Sequence, residues 1–285
     1  MLKFRMRGGN RSTTSMRQRE ISQIKGERAH ILSSKSDFFL REAYKTLRTN
    51  LFFSLAGDRE ENSHVVMVTS SLQSEGKSIT TLNLCISLAQ DGKKVILIDC
   101  DLRKPKLARL LSCSAPAGLS NLLLDPQLLS QAVIHRGDLA LDIILSGDIP
   151  PNPSELLGSS RMEHLLDNLR QNYDYIVLDT PPVNLVTDSA ILAPKTDGVA
   201  FVVRAGQTER GAIIHAVEQI EYAKAKILGF ILNGVDMGQT GYGYKKYSRY
   251  GYKKYDYGYG YGYGYGEEPA AGPSAGSSEE ETSAK

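Results

Sequence analysis

The residues with the clearest chemistry lie in one loop, residues 71–78, with the sequence SLQSEGKS. The loop follows a predicted strand at 65–69 and leads into a predicted helix that begins at Lys77. In that context a GxxxxGK[ST] loop surrounds a triphosphate with backbone N–H groups, its lysine reaches the terminal phosphates, and its hydroxyl ligates Mg²⁺. Because Ser71 replaces the first glycine of this pattern, the prediction of a phosphate-binding loop depends on its position between a strand and a helix. The predicted nucleotide-binding residues of this segment are Ser71, Ser74, Glu75, Gly76, Lys77, Ser78 and Ile79.

Two carboxylates follow a second apolar strand, in the sequence VILIDCD that ends at Asp101. Asp99 and Asp101 lie at the carboxyl end of this strand, which is the edge where doubly wound sheets bind ligands. In an extended chain, residues two apart point to the same side. Paired acids there can hold Mg²⁺ and can position or deprotonate a hydroxyl group. We take Asp99 as the candidate base.

A third acid, Asp179, ends the apolar strand of the sequence YIVLDTPP. This arrangement matches a Walker B segment, whose carboxylate binds the metal directly or through water. Three acids at strand ends, together with a phosphate-binding loop, predict a phosphoryl-transfer site that uses ATP and Mg²⁺. The predicted catalytic residues are Lys77, Asp99, Asp101 and Asp179, and the predicted metal ligands are Ser78, Asp101 and Asp179.

The elements that position these residues alternate between apolar strands and helical segments. Because the strands are apolar on both faces, they predict a mostly parallel sheet covered by helices on both sides, an α/β doubly wound domain of the P-loop NTPase type. Periodic apolar residues over 38–55 predict an amphipathic helix ahead of the sheet. Strands are predicted at 65–69, 95–99, 141–145, 174–179, 198–203 and 228–232, and helices at 77–91, 119–124, 160–171 and 209–224.

Segments of a different character flank this domain, which we assign to residues 37–240. Residues 1–36 are polar and basic and predict a disordered arm. Residues 241–266 are almost entirely Tyr, Gly, Lys and Arg and hold eleven of the fifteen tyrosines, and residues 267–285 are acidic. Neither of these two segments can bury a core, so both are predicted to be disordered tails.

The net charge of +2 indicates no particular partner, and we expect no nucleic-acid partner. Residues 1–30 nevertheless hold eight Lys/Arg against two Glu. Basic ends suit contact with a membrane surface, an acidic partner or phosphate, or they are solvated flexible arms. Three cysteines without CxxC spacing suit buried thiols in a reducing compartment. With neither a signal peptide nor a membrane-spanning run in the sequence, we expect a cytoplasmic protein.

The tyrosine-rich tail predicts a regulatory role. A Gly/Tyr segment of about 25 residues has a root-mean-square span of roughly 25–30 Å, enough to reach the active site of a neighbouring subunit. Residues 241–257 carry five Lys/Arg against one Asp. Each phosphotyrosine adds about −1.5 to −2 charges, so three of them would turn the tail from basic to acidic. The alternative is a low-complexity segment that stacks on partners or on nucleic acid.

Taken together, these features resemble the bacterial tyrosine kinases (BY-kinases) of capsule and exopolysaccharide synthesis. The resemblance covers about three quarters of the chain and includes the terminal tyrosines. Its motifs are the helix EAYKTLRTN at 42–50, the loop at 70–78, the segment at 98–105 that matches the family's Walker A′, the segment SGDIPPNPSELL at 146–157, and the sequence DTPP at 179–182.

The resemblance implies a role for each matching residue. Lys77 and Ser78 bind phosphate and Mg²⁺, the three acids serve the metal and the hydroxyl group, and Asn233 contacts the nucleotide base. The family's ExxRxxR motif, which builds a ring-shaped homo-oligomer, corresponds here to Glu42, Lys45 and Arg48. The autophosphorylation sites would be Tyr242, Tyr244, Tyr247, Tyr250, Tyr252, Tyr255, Tyr257, Tyr259, Tyr261, Tyr263 and Tyr265.

The resemblance also implies partners. Some members are fused to a membrane-spanning domain, whereas others are separate proteins activated by the cytoplasmic tail of a transmembrane polysaccharide co-polymerase adaptor. This sequence looks like the separate kind, recruited to the inner face of the plasma membrane through the adaptor. A cognate phosphotyrosine phosphatase is expected as well.

Two other functions stay open at this point. A partition-type ATPase of the same P-loop branch would carry an early lysine in the loop, where this sequence has Leu72, and it would lack the tyrosine tail. A non-catalytic nucleotide-binding scaffold that regulates polysaccharide chain length could have nearly the same sequence. A phosphotyrosine assay separates both from a kinase.

Overall fold

The computed structural model of this protein describes residues 26–56 and 63–235. The first 25 residues, the tyrosine-rich segment and the acidic C-terminal segment lie outside the described residues, so the predictions made for them stay predictions. Within the described ranges, no helix combines the length and the apolar character needed to cross a membrane.

A seven-stranded, mostly parallel sheet forms the centre of the domain; the sequence predicted a mostly parallel sheet and six of these strands. Its spatial order is β3-β4-β2-β5-β1-β6-β7, and neighbours run parallel except for the antiparallel pair β3 and β4. The strands are β1 (His64–Ser70), β2 (Val95–Asp99), β3 (Val133–Arg136), β4 (Leu141–Ile144), β5 (Tyr175–Asp179), β6 (Gly198–Arg204) and β7 (Ile227–Asn233).

Helices cover both faces of the sheet. In β1, Val66 and Val68 contribute to one hydrophobic core, and Val65 and Met67 contribute to the other, because successive side chains of a strand point to opposite faces. Helices α1, α2 and α3 pack on the first face, and α4, α6, α7 and α9 pack on the second. The helices are α1 (Phe38–Leu55), α2 (Lys77–Ala89), α3 (Leu107–Leu111), α4 (Leu119–Leu124), α5 (Leu129–Ala132), α6 (Pro153–Gly158), α7 (Ser160–Arg170), α8 (Asp188–Leu192) and α9 (Arg210–Tyr222).

All six predicted strands and all five predicted helices are confirmed to within two residues at each end. The sequence did not predict β3, an edge strand of four residues in which His135 is exposed. It also missed helices α3, α5, α6 and α8, which have four to six residues each. Such short helices contain too few turns to produce a readable apolar period.

Residues 26–36 differ from the disordered arm that the sequence predicted. They include a helical turn at 26–29, and the side chain of Leu32 is buried. The reason is a polar contact that the local sequence does not reveal. Asn83 of α2 is fully buried; its Oδ1 accepts a hydrogen bond from the backbone N–H of Leu32 (2.7 Å), and its Nδ2 donates to the backbone oxygen of His30 (2.8 Å).

We expect Asn83→Ala to lower the free energy of unfolding by about 1–3 kcal/mol, because the buried N–H of Leu32 would lose its partner. Urea unfolding measures this change. Asn172→Ala is the matched control, since Asn172 is exposed, and a shift under about 0.5 kcal/mol is expected there. Equal unfolding midpoints for the two variants would contradict the role given to Asn83.

Candidate active site

The loop between β1 and α2 turns tightly at two residues with positive φ. Ser74 has φ +65° and Gly76 has φ +87°, and the helix begins immediately after Gly76. A Cβ atom at Gly76 would lie 1.9 Å from the Nδ2 of Asn233, so no larger residue fits without moving that side chain. Glycine is therefore required at this position both by conformation and by the close approach of β7.

Two polar side chains brace the loop. Glu75 is buried, and its Oε2 accepts a hydrogen bond from the backbone N–H of Leu72 (2.7 Å), while its Oε1 accepts one from the hydroxyl of Thr208. From β7, the Nδ2 of Asn233 donates to the backbone oxygen of Glu75 (2.8 Å). The predicted base contact, Asn233, thus also holds the loop in place.

The lysine of the loop lies against the acid that ends β5. The Nζ of Lys77 is 2.5 Å from the Oδ1 of Asp179, and the two side chains are 8% and 1% exposed. The Oγ of Ser78 lies 3.5 Å from the same Nζ, and Thr81 also donates to the Oδ1 of Asp179 (3.3 Å). The other oxygen of Asp179, Oδ2, is buried and has no hydrogen-bond partner among the described residues. It is therefore left able to accept a further ligand.

The other two acids, Asp99 and Asp101, differ in how deeply they are buried. Asp99 pairs in register with Asp179 on the neighbouring strand and is fully buried. Its carboxylate accepts hydrogen bonds from the backbone N–H groups of Asp101 (3.2 Å) and Leu107 (3.3 Å). Burial and, secondly, the charge of Asp179 raise the pKa of Asp99 to about 8. Asp101 is half-buried, and its Oδ1 accepts from the N–H of Lys104 (2.9 Å).

A cavity of about 790 Å³ opens over the loop. This volume lies within the usual range for a small-molecule site. The predicted residues that line it are Ser74, Glu75, Gly76, Lys77, Ser78, Ile79, Asp101 and Asn233, whereas Ser71, Asp99 and Asp179 are buried and do not line it. Among the three acids, Asp101 is therefore the one that faces the cavity.

Four cations that line the same cavity had no role predicted from the sequence. Three of them follow Asp101 closely in the chain, and a run of basic residues after two strand-end acids was a readable signal, because phosphate oxygens are bound by Arg and Lys. The fourth ends β6 and carried no local signal. The four cations are Arg103, Lys104, Lys106 and Arg204.

One of these cations is held by a buried carboxylate. Arg103 donates to both oxygens of Asp188 at 2.8 and 2.9 Å and to the hydroxyl of Ser154 at 3.1 Å. Ser154 in turn donates to Asp188 at 2.6 Å, and the Asp188 side chain is fully buried. This network anchors the loop after β2, which carries Asp101, to the start of α6 and of α8.

Whether Mg²⁺ fits this site depends on the number of oxygen ligands that the residues can supply. Among the described residues, no cluster of three or more His, Cys, Asp or Glu side chains could hold a metal by itself. Mg²⁺ usually takes one or two carboxylates together with substrate phosphates and water. The unpartnered Oδ2 of Asp179 and the half-buried Asp101 fit that kind of site. The residues thus suit a metal that arrives with a nucleotide.

The three residues predicted to make oligomer contacts lie on α1. Glu42 and Lys45 form an ion pair (2.7 Å) and are 44% and 55% exposed. Arg48 instead contacts its own chain, donating to the backbone oxygen of Ser87 (2.8 Å) and pairing with Asp91 (3.0 Å). The structure therefore leaves Glu42 and Lys45 at the surface and attaches Arg48 to the end of α2.

Known proteins are similar to this chain in sequence and in fold. A family described as an AAA domain matches residues 65–228. Tyrosine-protein kinase YwqD of Bacillus subtilis (strain 168) is 41% identical over 211 residues, which cover 74% of this chain and 85% of YwqD. The kinase domain of Escherichia coli tyrosine kinase ETK superposes with a TM-score of 0.66 at 34% identity and covers 72% of this chain and 80% of that one.

A longer relative is also similar. Putative tyrosine-protein kinase EpsB of Ralstonia nicotianae is 37% identical over 218 residues, which are 76% of this chain but 28% of EpsB. This chain therefore spans just over a quarter of that relative.

We expect Gly76→Ala to weaken nucleotide binding at least about tenfold, because the added Cβ must displace Asn233 or the loop. Binding of a fluorescent ATP analogue measures this loss. Gly92→Ala is the matched control, since Gly92 also has positive φ (+79°) but nothing within 4 Å of the added Cβ. Both variants should lose about 1 kcal/mol of stability, and equal nucleotide affinity in both would contradict the steric argument.

We expect Arg103→Ala to lower the free energy of unfolding by about 1–3 kcal/mol near neutral pH, because it leaves the carboxylate of Asp188 buried with Ser154 as its remaining side-chain partner. Burial would raise the pKa of Asp188, but hydrogen bonds from Arg103 and Ser154 outweigh it, and the pKa is lowered. A lowered pKa stabilises the fold above the usual value of about 3.9, and this contribution is lost as the pH falls through the folded pKa.

The stability difference between wild type and Arg103→Ala should therefore shrink below about pH 4. Urea unfolding at neutral pH and at several acidic pH values tests this dependence. Arg136→Ala is the control, since Arg136 pairs with Asp138, which is 61% exposed, and donates to the backbone oxygen of Leu111 (3.1 Å). A loss of about 1 kcal/mol is expected there, with a weaker dependence on pH because Asp138 is exposed. A difference that does not vary with pH would argue against the ion pair as its source.

Proposed function

This chain belongs to the bacterial tyrosine-protein kinases, and we propose that it transfers the terminal phosphoryl group of ATP to tyrosines of its own C-terminal segment. One observation carries the proposal. Lys77 and Asp101 line a cavity whose wall also includes Val235, the last described residue before the sequence that holds eleven tyrosines. A lysine, a carboxylate and the residue seven positions before the first of these tyrosines thus line one cavity.

We assign the nucleotide to the cavity above the loop. The backbone N–H groups at the start of α2 would surround the phosphates, and Lys77 would move from Asp179 onto the β/γ oxygens. Ser78, Asp101 and Asp179 would hold Mg²⁺, and the metal would supply positive charge beside the phosphates.

Positioning dominates the chemistry that we propose. A loose transition state demands little of the nucleophile, so the protein has chiefly to align the phenol and compensate the charge of the phosphates. Asp101 faces the cavity and would orient the hydroxyl group. Asp99 was the candidate base, but it is fully buried and does not line the cavity. Its carboxyl group accepts a hydrogen bond from the backbone N–H of Asp101 and would hold Asp101 in place. Lys104 and Arg204, which line the same cavity, would add positive charge.

The transfer would take place between subunits of a ring-type homo-oligomer, in which the exposed residues Glu42 and Lys45 contact a neighbour. Conversion of a basic tail into an acidic one would then weaken the assembly by repulsion between like charges. The kinase would control capsular or exopolysaccharide synthesis. The cytoplasmic tail of a transmembrane adaptor would activate it and recruit it to the membrane, and a phosphotyrosine phosphatase would reverse the modification.

We expect Lys77→Met, and separately a chain that ends at Thr240, to lose phosphotyrosine formation by at least about 100-fold when incubated with Mg-ATP, with and without an adaptor tail. The first variant lacks the phosphate-binding cation, and the second lacks the acceptors. Immunoblotting and mass spectrometry of residues 241–265 measure the product. Lys195→Met is the matched control, since Lys195 is also mostly buried (12% exposed) and paired with a carboxylate, but it does not line the cavity.

Mixing the two variants tests transfer between chains. The chain that ends at Thr240 retains the site and should label the tail of the Lys77→Met protein. If wild type labels itself but the mixture yields no product, transfer occurs within one chain and the proposal of transfer between subunits is wrong. Phosphate release without phosphotyrosine would favour an ATPase, and nucleotide binding without turnover would favour a scaffold.

A further inference from the structure

Two leucines on the cavity wall differ in character from the charged residues around them. Leu72 is 36% exposed and Leu185 is 48% exposed, and both line the cavity together with Pro182 and Val186. Charged side chains, those of the cations and of Asp101, line the same cavity. A large apolar side chain left open inside a cavity is a candidate contact for an apolar part of a ligand.

Backbone hydrogen bonds bring the two leucine segments together. The N–H of Val183 donates to the backbone oxygen of Ser70 (2.9 Å), and the N–H of Leu185 donates to that of Pro182 (3.2 Å). The turn after β5 therefore runs beside the beginning of the phosphate-binding loop. Leu72 lies two residues after Ser70, and Leu185 lies two residues after Val183, so the leucines project from adjacent segments.

This position corresponds to the terminal-phosphate end of the cavity. The turn follows Asp179 directly in the chain, and Asp179 contacts Lys77, the residue that reaches the β and γ phosphates. A group bound against Leu72 and Leu185 would thus lie next to the phosphoryl group that is transferred. The side chain that must enter there is that of the acceptor.

We propose that Leu72 and Leu185, with Pro182 of the same cavity lining, form a subsite for the phenol ring of the acceptor tyrosine and select tyrosine over serine or threonine. The occupant is a tyrosine of this chain's own segment 242–265. The inference rests on the proposed function and deepens it, because it names the residues that would recognise the acceptor.

The physical argument is one of shape and polarity. A phenol presents an apolar ring below its hydroxyl group, so apolar walls can hold the ring while Asp101 receives the hydroxyl. The hydroxyl of serine or threonine lies directly on Cβ and offers no ring to such walls. Most tyrosines of the segment have a glycine beside them, and glycine lets the backbone approach a cavity closely. The recognition would therefore depend on the ring more than on the flanking side chains.

A binding measurement tests the subsite without requiring turnover. The probe is a fluorescent peptide of residues 241–254, GYGYKKYSRYGYKK, with every tyrosine replaced by phenylalanine, titrated by anisotropy into the full chain loaded with a non-hydrolysable ATP analogue. We expect Leu185→Ala to weaken its binding about fivefold, the equivalent of roughly 40 Å² of lost apolar contact. Leu72→Ala should act in the same direction, and the matched serine peptide should bind weakly to every variant.

The control and the remaining outcomes separate the possibilities. Leu124→Ala removes a leucine that is 60% exposed but does not line the cavity, and it should leave peptide binding unchanged. Peptide affinity that is equal in wild type and Leu185→Ala would overturn the subsite. A loss of affinity for the ATP analogue in Leu185→Ala, with peptide binding unchanged, would reassign the leucines to the nucleotide base and would also overturn it.

The same variants distinguish this inference from the proposed function. With the tyrosine peptide as substrate, we expect Leu185→Ala to raise KM about fivefold with little change in kcat. If wild type forms no phosphotyrosine at all, the proposed function fails while the anisotropy result still decides the subsite. If phosphotyrosine forms but KM is unaffected by Leu185→Ala, the subsite fails while the kinase activity stands.

Discussion

The buried ion pair between Lys77 and Asp179 is the constraint on which the arrangement of the site depends. Taking two charges out of water costs free energy that a pair recovers only with close geometry and additional hydrogen bonds. The 2.5 Å contact between Lys77 and Asp179 supplies the close geometry, and the hydroxyl of Thr81 supplies a hydrogen bond to the same oxygen of Asp179. Because β5 lies beside β1 in the sheet, the pair fixes the start of α2 against the end of β5.

The polar loops around this pair are held by side chains from distant parts of the chain. The hydrogen bond from Asn233 to Glu75 fastens the loop at 71–78 to the end of β7, and Asp188 fastens Arg103. Each of these contacts removes freedom from a segment that would otherwise have to become ordered when a ligand binds. A site whose groups are already oriented loses less entropy in binding and in reaction.

The cavity is lined both by charged and by apolar side chains, and the proposed reaction uses both. Cations and Asp101 suit a polyphosphate with its metal, whereas Leu72 and Leu185 suit an aromatic ring. The two kinds of wall meet at the turn after β5, where the acid of the ion pair and the apolar turn are consecutive in sequence. Phosphate chemistry and selection of a phenol can therefore occur within one short segment.

The sequence by itself determined the mostly parallel sheet, six of its seven described strands and the loop with Lys77, because apolar runs and the GKS motif are local patterns. It also placed Asp99, Asp101 and Asp179 at strand ends. Only the tertiary structure decided which acid faces the cavity, because the burial of each carboxyl group depends on packing across the sheet. Asp188 lies 85 residues from Arg103, and Asn83 lies 51 residues from Leu32. Contacts between residues so far apart leave no periodic trace in sequence, since folding alone brings them together.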